Sequence, residues 1–554
     1  MSKIDDDSIM TPFAAIMAAA DKWSDRPFLH IPLAACSSYS DCSVDFSYRE
    51  AEEQILKVQQ HYHSAGYGIG HRVAILLDNR AEFFFHWFAL NGLGASVVPI
   101  NGDMSAAEMG YLLQHSESCL AVALPDKKQS MENAASSVGI QIPVVGLDEL
   151  SEIPKPSTPA EEKSDATSAT ECALLYTSGS TGKPKGCVVN NEYYLQAGRW
   201  YRDLGGLCKL EPGVERLITP LPMVHMNAMA CSTMGMVVTG GCVVQLDRFH
   251  PSSWWQSVRE SKATVLHYLG VMPAMLLNSE PRADEDFGDQ IKFGFGAGVN
   301  PKHHAVFEQR FGFPLIEAWA MTESGTGGCV IANTEPRHVG TSCFGRPEDS
   351  LEYRLIDEAG HDVERGEQGE LLVRLKGEDP WRGFFSGYLK NEEATQEALA
   401  DGWLHTGDVV RVGSDGSMHF VDRRKNVIRR SGENISALEV EATLSECAEV
   451  EMVVVTPVPD DIRGDEVFAA VVLKPGNSAT SETADRLFDH CYRALAYYKA
   501  PGYIKFTDAL PLTASGKPQR GEIKTLAKSW VEDNSCLVLV ARKRKQKATE
   551  ATGT

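Results

Sequence analysis

Leu174 to Val188 reads LLYTSGSTGKPKGCV, and the fold turns on how this stretch is read. Thr177, Ser178, Ser180 and Thr181 bring hydroxyls, and Lys183 and Lys185 bring charge. Gly179, Gly182 and Gly186 let the backbone bend and approach a ligand. Exposed N–H groups and hydroxyls are donors aimed at an anion, so the composition suits nucleotide phosphates. The loop is not of Walker type, because Pro184 follows Lys183 where that motif needs Ser or Thr. The plain alternative is a Gly/Ser-rich surface loop with two solvated lysines. Against it, apolar Ala173 to Tyr176 leads in and Cys187 to Val189 leads out, so the loop is pinned between two buried strands.

Outward from the loop, Pro154 to Thr170 is polar, proline-bearing and aperiodic, which reads as a surface connector. Further upstream, Arg72 to Asn101 reads as β-α-β. Val73 to Leu77 is an apolar run ended by Asp78-Asn79, which can cap the next helix. Glu82 to Leu93 is helical in length and rich in aromatics, read as core, and Ser96 to Ile100 is β-branched again. A second unit follows around Leu120 to Leu124 and Val144-Val145, so a mainly parallel sheet covered on both faces is expected. Downstream, Gly345 to His419 changes to short alternating strands with Gly and Asp turns, a small β-rich subdomain. No internal repeat is visible.

Several further motifs carry chemistry. Leu217 to Met226 (LITPLPMVHM) is stopped by prolines and delivers His225. Strand-like Ile291 to Phe295 leads to Gly296-Ala297-Gly298. Glu317 to Gly325 reads EAWAMTESG and Trp403 to Asp408 reads WLHTGD. Val421 to Glu441 reads VDRRKNVIRRSGENISALEVE, and Leu512 to Arg520 reads LTASGKPQR. Singly, each has a bland reading: a structural histidine, a helix cap at Thr322-Glu323, an ordinary T-G-D turn, a basic turn before an amphipathic helix, a solvated Lys517. None of these explains their order.

In that order, with YTSGSTGKPKG, they resemble the adenylate-forming superfamily of acyl-CoA synthetases, peptide-synthetase adenylation domains and firefly luciferases. The resemblance spans roughly residues 11 to 530. It implies an α/β protein: a large N-terminal domain of two α/β subdomains plus a small β-barrel-like subdomain, and a small mobile α+β C-terminal domain. The expected bounds are 1–422 for the ATP- and acid-binding domain, with its β-rich part at about 345–421. A lid follows at 423–530, and 531–554 is expected to be mostly flexible tail.

The resemblance also implies roles. The loop hydroxyls of Thr177, Ser178, Ser180 and Thr181, with Gly179, Gly182 and Lys185, would hold the pyrophosphate. Gly296, Ala297 and Gly298 would form the small-residue wall of the acid and nucleotide pocket. Trp319 stands where the family has Tyr and would stack on adenine, with Ala320 replacing the usual Gly. Thr322 would bond the α-phosphate and Glu323 would hold Mg²⁺. Asp408 would accept both ribose hydroxyls, and Arg423 would bind ribose or phosphate. Lys425 would be the hinge, and Lys517 would reach the carboxylate and α-phosphate. Ser431, Gly432 and Glu433 would guide the pantetheine thiol, with Arg429 set to meet CoA phosphates or only solvent. His225 would close the acid pocket or gate thiol entry. Asn227, His267, Tyr268 and Gly270 are the remaining acid-pocket candidates, and their amide, imidazole and phenol groups suit a partly polar or aromatic acid. Glu317 and Glu323 are the nearby acids, and no separate carboxylate awaits a quaternary ammonium.

Residues 77–101 and 421–436 look most like the bacterial carnitine/crotonobetaine-CoA ligase group. The implied reaction joins a carboxylic acid to ATP as acyl-AMP with release of pyrophosphate, then passes the acyl group to the CoA thiol with release of AMP. Mg²⁺ accompanies ATP, and CoA is the co-substrate. A stand-alone adenylation enzyme loading a carrier protein in trans is the alternative.

Composition sets limits. At 554 residues the chain exceeds what one core serves. Its 43% hydrophobic and 23% charged residues are ordinary for a globular protein. A net charge of −22 argues against a nucleic-acid binder. Thirteen scattered cysteines without a C-x-x-C pair suit free thiols in a reducing compartment rather than a disulfide framework or zinc. The acidic start MSKIDDDSIM has no apolar h-region, and no apolar run reaches membrane-span length, so a cytoplasmic protein is expected, with a homodimer among its expected assemblies.

Overall fold

The computed structural model describes residues 8–161, 165–177, 184–281, 285–357, 359–430, 433–460, 463–513 and 517–543. The side chains of residues 425, 429, 433 and 434 lie outside that description.

Two large sheets form the first body. One has seven strands, in the order Gly387–Tyr388, Lys185–Asn190, Glu171–Thr177, Ser96–Pro99, Arg72–Leu76, Leu120–Ala123 and Val144–Gly146. Its last five strands are parallel. The other has eight strands, of which Leu315–Trp319, Phe293–Ala297, Val265–Leu269, Arg216–Thr219, Cys242–Gln245 and Pro27–Ile31 are parallel neighbours. Antiparallel strands Val330–Ile331 and Val44–Ser47 close its edges.

Helix Ala81–Gly92 follows strand Arg72–Leu76 and has 10 of its 12 residues buried. A helix apolar all round needs cover on every side. Here the cover is real: Phe84 and Phe88 meet Phe28 of the other sheet edge-on, at centroid distances of 5.9 and 6.4 Å, and Trp87 packs on Tyr194. The aromatic run is therefore the layer that joins the two sheets into one core.

Strands Cys343–Gly345, Met418–Arg423, Leu404–Val412, Gln368–Leu375 and Leu351–Ile356 form a five-stranded antiparallel sheet in that order. The barrel-like form expected for this subdomain is not closed: Cys343–Gly345 and Leu351–Ile356 stay unpaired edges of an open sheet.

The C-terminal unit is α+β. Strands Val450–Asp460 and Gly464–Leu473 form a long hairpin, joined by Ile428–Arg430, Glu433–Ile435, Tyr503–Phe506 and Leu537–Val538. Helices Ala437–Leu444, Ser481–Ala494 and Arg520–Glu532 pack on it. Its hydrophobic clusters are separate from the main one, which ends at Met418 and resumes as a new core from Ile428.

Residues 531–543, expected to belong to a mostly flexible tail, are packed. Leu537–Val538 pairs with Tyr503–Phe506, and Arg542 bonds Asp485 and Asp489 at 2.5 and 2.8 Å. Lys543 is 1% exposed and donates to Glu466 Oε1 at 2.5 Å and to the Tyr498 carbonyl. Burial pulls this lysine down to about 8 despite the carboxylate beside it. Glu466 also accepts from Arg430 Nε at 2.9 Å, so one buried carboxylate serves two buried cations.

Glu466→Ala strands both cations and is expected to destabilise the C-terminal unit by about 3–5 kcal/mol. A urea titration reads the loss, and an unshifted midpoint contradicts the account.

Candidate active site

The carboxyl ends of parallel strands are where open α/β sheets leave a crevice. Both sheets present such ends to one cavity of about 680 Å³, lined from the seven-stranded sheet by Asp78, Asn79, Ile100 and Asn101. From the eight-stranded sheet come Pro220 to Asn227, Leu269, and Phe295 to Ala297, then Ala318 and Ala320 to Thr322.

Asn79 makes the junction. Its amide nitrogen donates to the carbonyls of Leu221 and Leu246 at 3.1 and 2.9 Å, and its oxygen accepts from Met223 N at 2.9 Å. Asn79 therefore does not cap the following helix, whose first turn has no side-chain cap. It ties the end of one sheet to the segment that carries His225.

His225 and Asn227 line the cavity. The cavity walls strip water from the His225 ring, and its pKa falls to about 4, with the charge of Lys517 acting in the same direction. Lys517, from the C-terminal unit, lines the same cavity. Desolvation, then repulsion from Arg423, holds its ammonium below the ordinary lysine value, although the residue as a whole remains exposed.

His267, Tyr268 and Gly270 were expected in the acid pocket and stand outside its lining. His267 is fully buried and spans Tyr201 OH and Asn227 Oδ1 at 2.8 and 2.7 Å. Tyr268 turns away and donates to Glu317 Oε1 at 2.9 Å. Gly270 packs against the backbone of Gly298, where a Cβ has no room. Glu317 is a positioning group: its carboxylate accepts from the N–H groups of Gly298 and Val299 at 2.9 and 3.0 Å, pinning the turn behind Gly296 and Ala297. Gly298 itself turns at φ +80°, and it too is off the cavity wall. Gly296 leaves no space for a Cβ beside Tyr268.

The phosphate-loop residues Ser178, Gly179, Ser180, Thr181 and Gly182 lie outside the described residues. Its two flanks are described: Thr177 ends one strand and pairs with Lys185, which begins the next. Lys185 Nζ sits 4.7 Å from the Tyr388 ring, and Tyr388 OH donates to Glu323 Oε1 at 2.7 Å. Tyr388 thus bridges the loop lysine and the buried Glu323, on a strand paired to that of Lys185. Sequence reading passed over it; the signal was a tyrosine after Gly387, short of a helix. Thr322 faces the cavity while its carbonyl accepts from Tyr193 OH at 3.0 Å.

Trp319 Nε1 donates to Asp408 Oδ2 at 2.8 Å, and Arg423 Nε reaches Asp408 Oδ1 at 2.6 Å. Burial raises the Asp408 pKa while Arg423 and Trp319 oppose it. The expected adenine-side aromatic is thus hydrogen-bonded to the expected ribose acceptor, and Arg423 is that carboxylate's ion-pair partner. Lys425 lies in the turn Arg424–Asn426, and its side chain is not described. Arg429 and Glu433 sit on strands Ile428–Arg430 and Glu433–Ile435 with undescribed side chains, and Ser431 and Gly432 lie outside the described residues.

Among the described residues no cluster of three His, Cys, Asp or Glu side chains is set to hold a metal, and no helix is long and apolar enough to cross a membrane. A lone carboxylate such as Glu323 fits a hard cation that arrives with phosphate oxygens and water, not one caged by protein.

The profile of the family described as AMP-binding enzyme matches residues 17–389, and that of the AMP-binding enzyme C-terminal domain matches 439–517. The chain is 29% identical over 509 residues to a crotonobetaine/carnitine–CoA ligase of Escherichia coli, covering 89% of this chain and 96% of that one. Its counterpart in Salmonella arizonae is 30% identical over 502 residues, covering 86% and 93%. Among solved structures, the o-succinylbenzoate CoA synthetase of Bacillus subtilis with its acyl-adenylate intermediate superposes with a TM-score of 0.77. It is 26% identical, with 92% of this chain and 97% of that chain covered. The same enzyme has been solved with ATP and magnesium ion, with a TM-score of 0.76, 26% identity and coverage of 92% and 99%.

His267 has a pKa of about 3 in the fold against 6.5 for the ordinary group, because burial disfavours its charge. Between those values the unfolded chain binds a proton that the folded chain does not, so stability falls as pH drops from 6.5 towards 3. His267→Gln removes that proton, and the fall is expected to be shallower by about 1.4 kcal/mol per pH unit. Denaturant midpoints from neutral to mildly acidic pH check this; an unchanged slope contradicts it.

Proposed function

The chain belongs to the AMP-binding enzyme family, and from that premise we propose that it is an ATP-dependent acyl-CoA ligase. The observation that carries the reading is the convergence of Lys517, from the C-terminal unit, with His225, Thr322, Gly296 and Ala297 in one cavity. A carboxylate and an α-phosphate meeting there would find a cation on one side and a wall of small residues on the other.

In the first half-reaction a carboxylate oxygen attacks the α-phosphorus of ATP, and pyrophosphate leaves on the opposite side. The protein supplies positioning and charge rather than covalent help. Lys517 neutralises charge building on the phosphorus oxygens, and Thr322 donates to one of them. Lys185 and the loop before it hold the departing pyrophosphate. Asp408, oriented by Arg423 and Trp319, accepts from the ribose hydroxyls. Glu323, steadied by Tyr388, would hold Mg²⁺, which supplies charge neutralisation on phosphate oxygens when bound. His225, neutral at physiological pH, borders the acid without drawing its proton.

In the second half-reaction CoA attacks the acyl carbonyl, and AMP departs. The C-terminal unit turns about Lys425, which withdraws Lys517 and brings strands Ile428–Arg430 and Glu433–Ile435 towards the cavity to receive pantetheine. The CoA-ligase names of the relatives at 29% and 30% identity support this acceptor. A cytoplasmic location, where ATP and CoA are at hand, accords with it.

ATP-dependent AMP release, run across carboxylic acids with and without CoA, tests the reading. Release that needs both an acid and CoA is expected; pyrophosphate exchange that never proceeds on adding CoA points instead to a carrier protein. Lys517→Ala is expected to slow acyl-AMP formation about a hundredfold, roughly 3 kcal/mol, while thioester formation from preformed acyl-AMP keeps most of its rate. Equal losses in both halves contradict the assignment.

A further inference from the structure

The buried end of the cavity carries two hydrogen-bonding groups for which adenylation has no use. Thr326 is 3% exposed and lines the cavity, and its Oγ1 has no hydrogen-bond partner among the described residues. Buried hydroxyls are nearly always bonded, so an orphan facing a ligand cavity marks a missing partner.

The second is the Asn227 amide. Residues Asn227–Thr233 form a widened π-helical turn, a feature that recurs at functional sites. Ser232 Oγ donates back to the Asn227 carbonyl at 3.1 Å within it. The turn swings Asn227 over His267, whose Nδ1 lies 2.7 Å from the amide oxygen while Nε2 lies 2.8 Å from Tyr201 OH. Ser232 Oγ also lies 2.8 Å from Nδ1, but its hydroxyl is given to the Asn227 carbonyl, so the arrangement that satisfies every group puts the ring proton on Nδ1, facing the amide oxygen, and leaves Nε2 to accept from the Tyr201 hydroxyl. Burial keeps the ring neutral. His267 therefore fixes the amide with its oxygen inward, and the nitrogen, which has no partner among the described residues, is left for the cavity.

Charge is missing where these groups sit. The carboxylates lining the cavity are Asp78, Asp103 and Asp247. Asp103 is exposed, Asp78 is paired with Lys127 at 2.5 Å, and Asp247 is paired with His250 at 3.0 Å. Cys231, Cys329, Phe295 and Ala318 line the same cavity, and all are buried and uncharged.

We propose that this cavity selects a compact carboxylic acid whose acyl chain bears a neutral oxygen substituent, a hydroxyl or oxo group, that pairs with Asn227 Nδ2 or Thr326 Oγ1 on its wall. The proposal rests on the ligase reading and narrows its substrate. A plain hydrocarbon acid leaves both protein groups unpaired, and a site built to bond an oxygen rejects the analogue without it far more strongly than an apolar pocket rejects one methylene. A trimethylammonium acid such as carnitine meets no unpaired carboxylate at the buried end.

The test uses matched acids: short alkanoates and benzoate, each against its hydroxy- or oxo-substituted counterpart, with 4-trimethylammoniobutyrate, a quaternary ammonium acid without a hydroxyl, as a further arm. Pyrophosphate exchange by the full chain is expected to favour the substituted member by roughly tenfold or more in kcat/KM. Asn227→Leu and Thr326→Val are each expected to lower that ratio. Preference for the plain acids or for 4-trimethylammoniobutyrate, or a ratio indifferent to both variants, overturns the proposal and leaves the ligase reading standing. Silence with every acid sinks the ligase reading; thermal shifts with the same acids plus AMP then decide the pocket, and shifts equal within each pair overturn the inference too.

Discussion

One side-chain amide holds the two large sheets in working register. Asn79 is 6% exposed and stands just past strand Arg72–Leu76, and every partner it has belongs to the other sheet's strand ends. Its nitrogen ties the chain after Arg216–Thr219 to the chain after Cys242–Gln245, and its oxygen takes the N–H of Met223. A buried amide with both ends satisfied defines a geometry that apolar packing alone leaves free to slide. His225 follows two residues later, and Asn227 two after that. The position of the acid pocket against the nucleotide side is thus set by a residue that touches neither substrate.

The second constraint is electrostatic. A chain of net charge −22 has to receive a triphosphate, so cations must be concentrated locally. Lys185, Arg423 and Lys517 provide this, yet each is held by something other than substrate. Lys185 rests on the Tyr388 ring, Arg423 on Asp408, and Lys517 in a cavity where its ammonium is poorly hydrated. A cation already stripped of water gives up less on meeting a phosphate, and Asp408, held between Arg423 and the Trp319 indole, is oriented in advance. Trp319 has a local consequence: its indole N–H reaches Asp408, tying strand Leu315–Trp319 to strand Leu404–Val412.

Much of this was legible in the sequence because motif order survives where single motifs are ambiguous. The β-α-β pattern of 72–101 and the change to short alternating strands after Gly345 follow from local periodicity, which packing reinforces rather than overrides. What stayed hidden depends on which way a side chain turns. Asn79 has the composition of a helix cap, yet three backbone groups of a distant sheet compete for its amide and win. His267 and Tyr268 are polar residues on a strand beside the pocket, and nothing local says that both bond to protein behind the wall. The open edge of the five-stranded sheet and the packed segment 537–543 depend on pairings with chain far away in sequence. Thr326 carries no motif at all; only its lack of a partner in the folded state singles it out.

The contacts between the two bodies are of a different kind from those within them. No hydrophobic cluster crosses from Met418 to Ile428. The crossing is made by polar groups: Asp422 accepts from Ser436 Oγ and Leu438 N at 3.1 and 3.2 Å, and Arg424 bonds Glu370 at 2.5 Å. Lys302 pairs with Glu446. Each of these bonds has a water-mediated counterpart of similar free energy, whereas apolar surface, once buried, resists re-exposure. Contacts of this kind join the two units while each keeps its own hydrophobic core, and with them in place Lys517 lines the cavity.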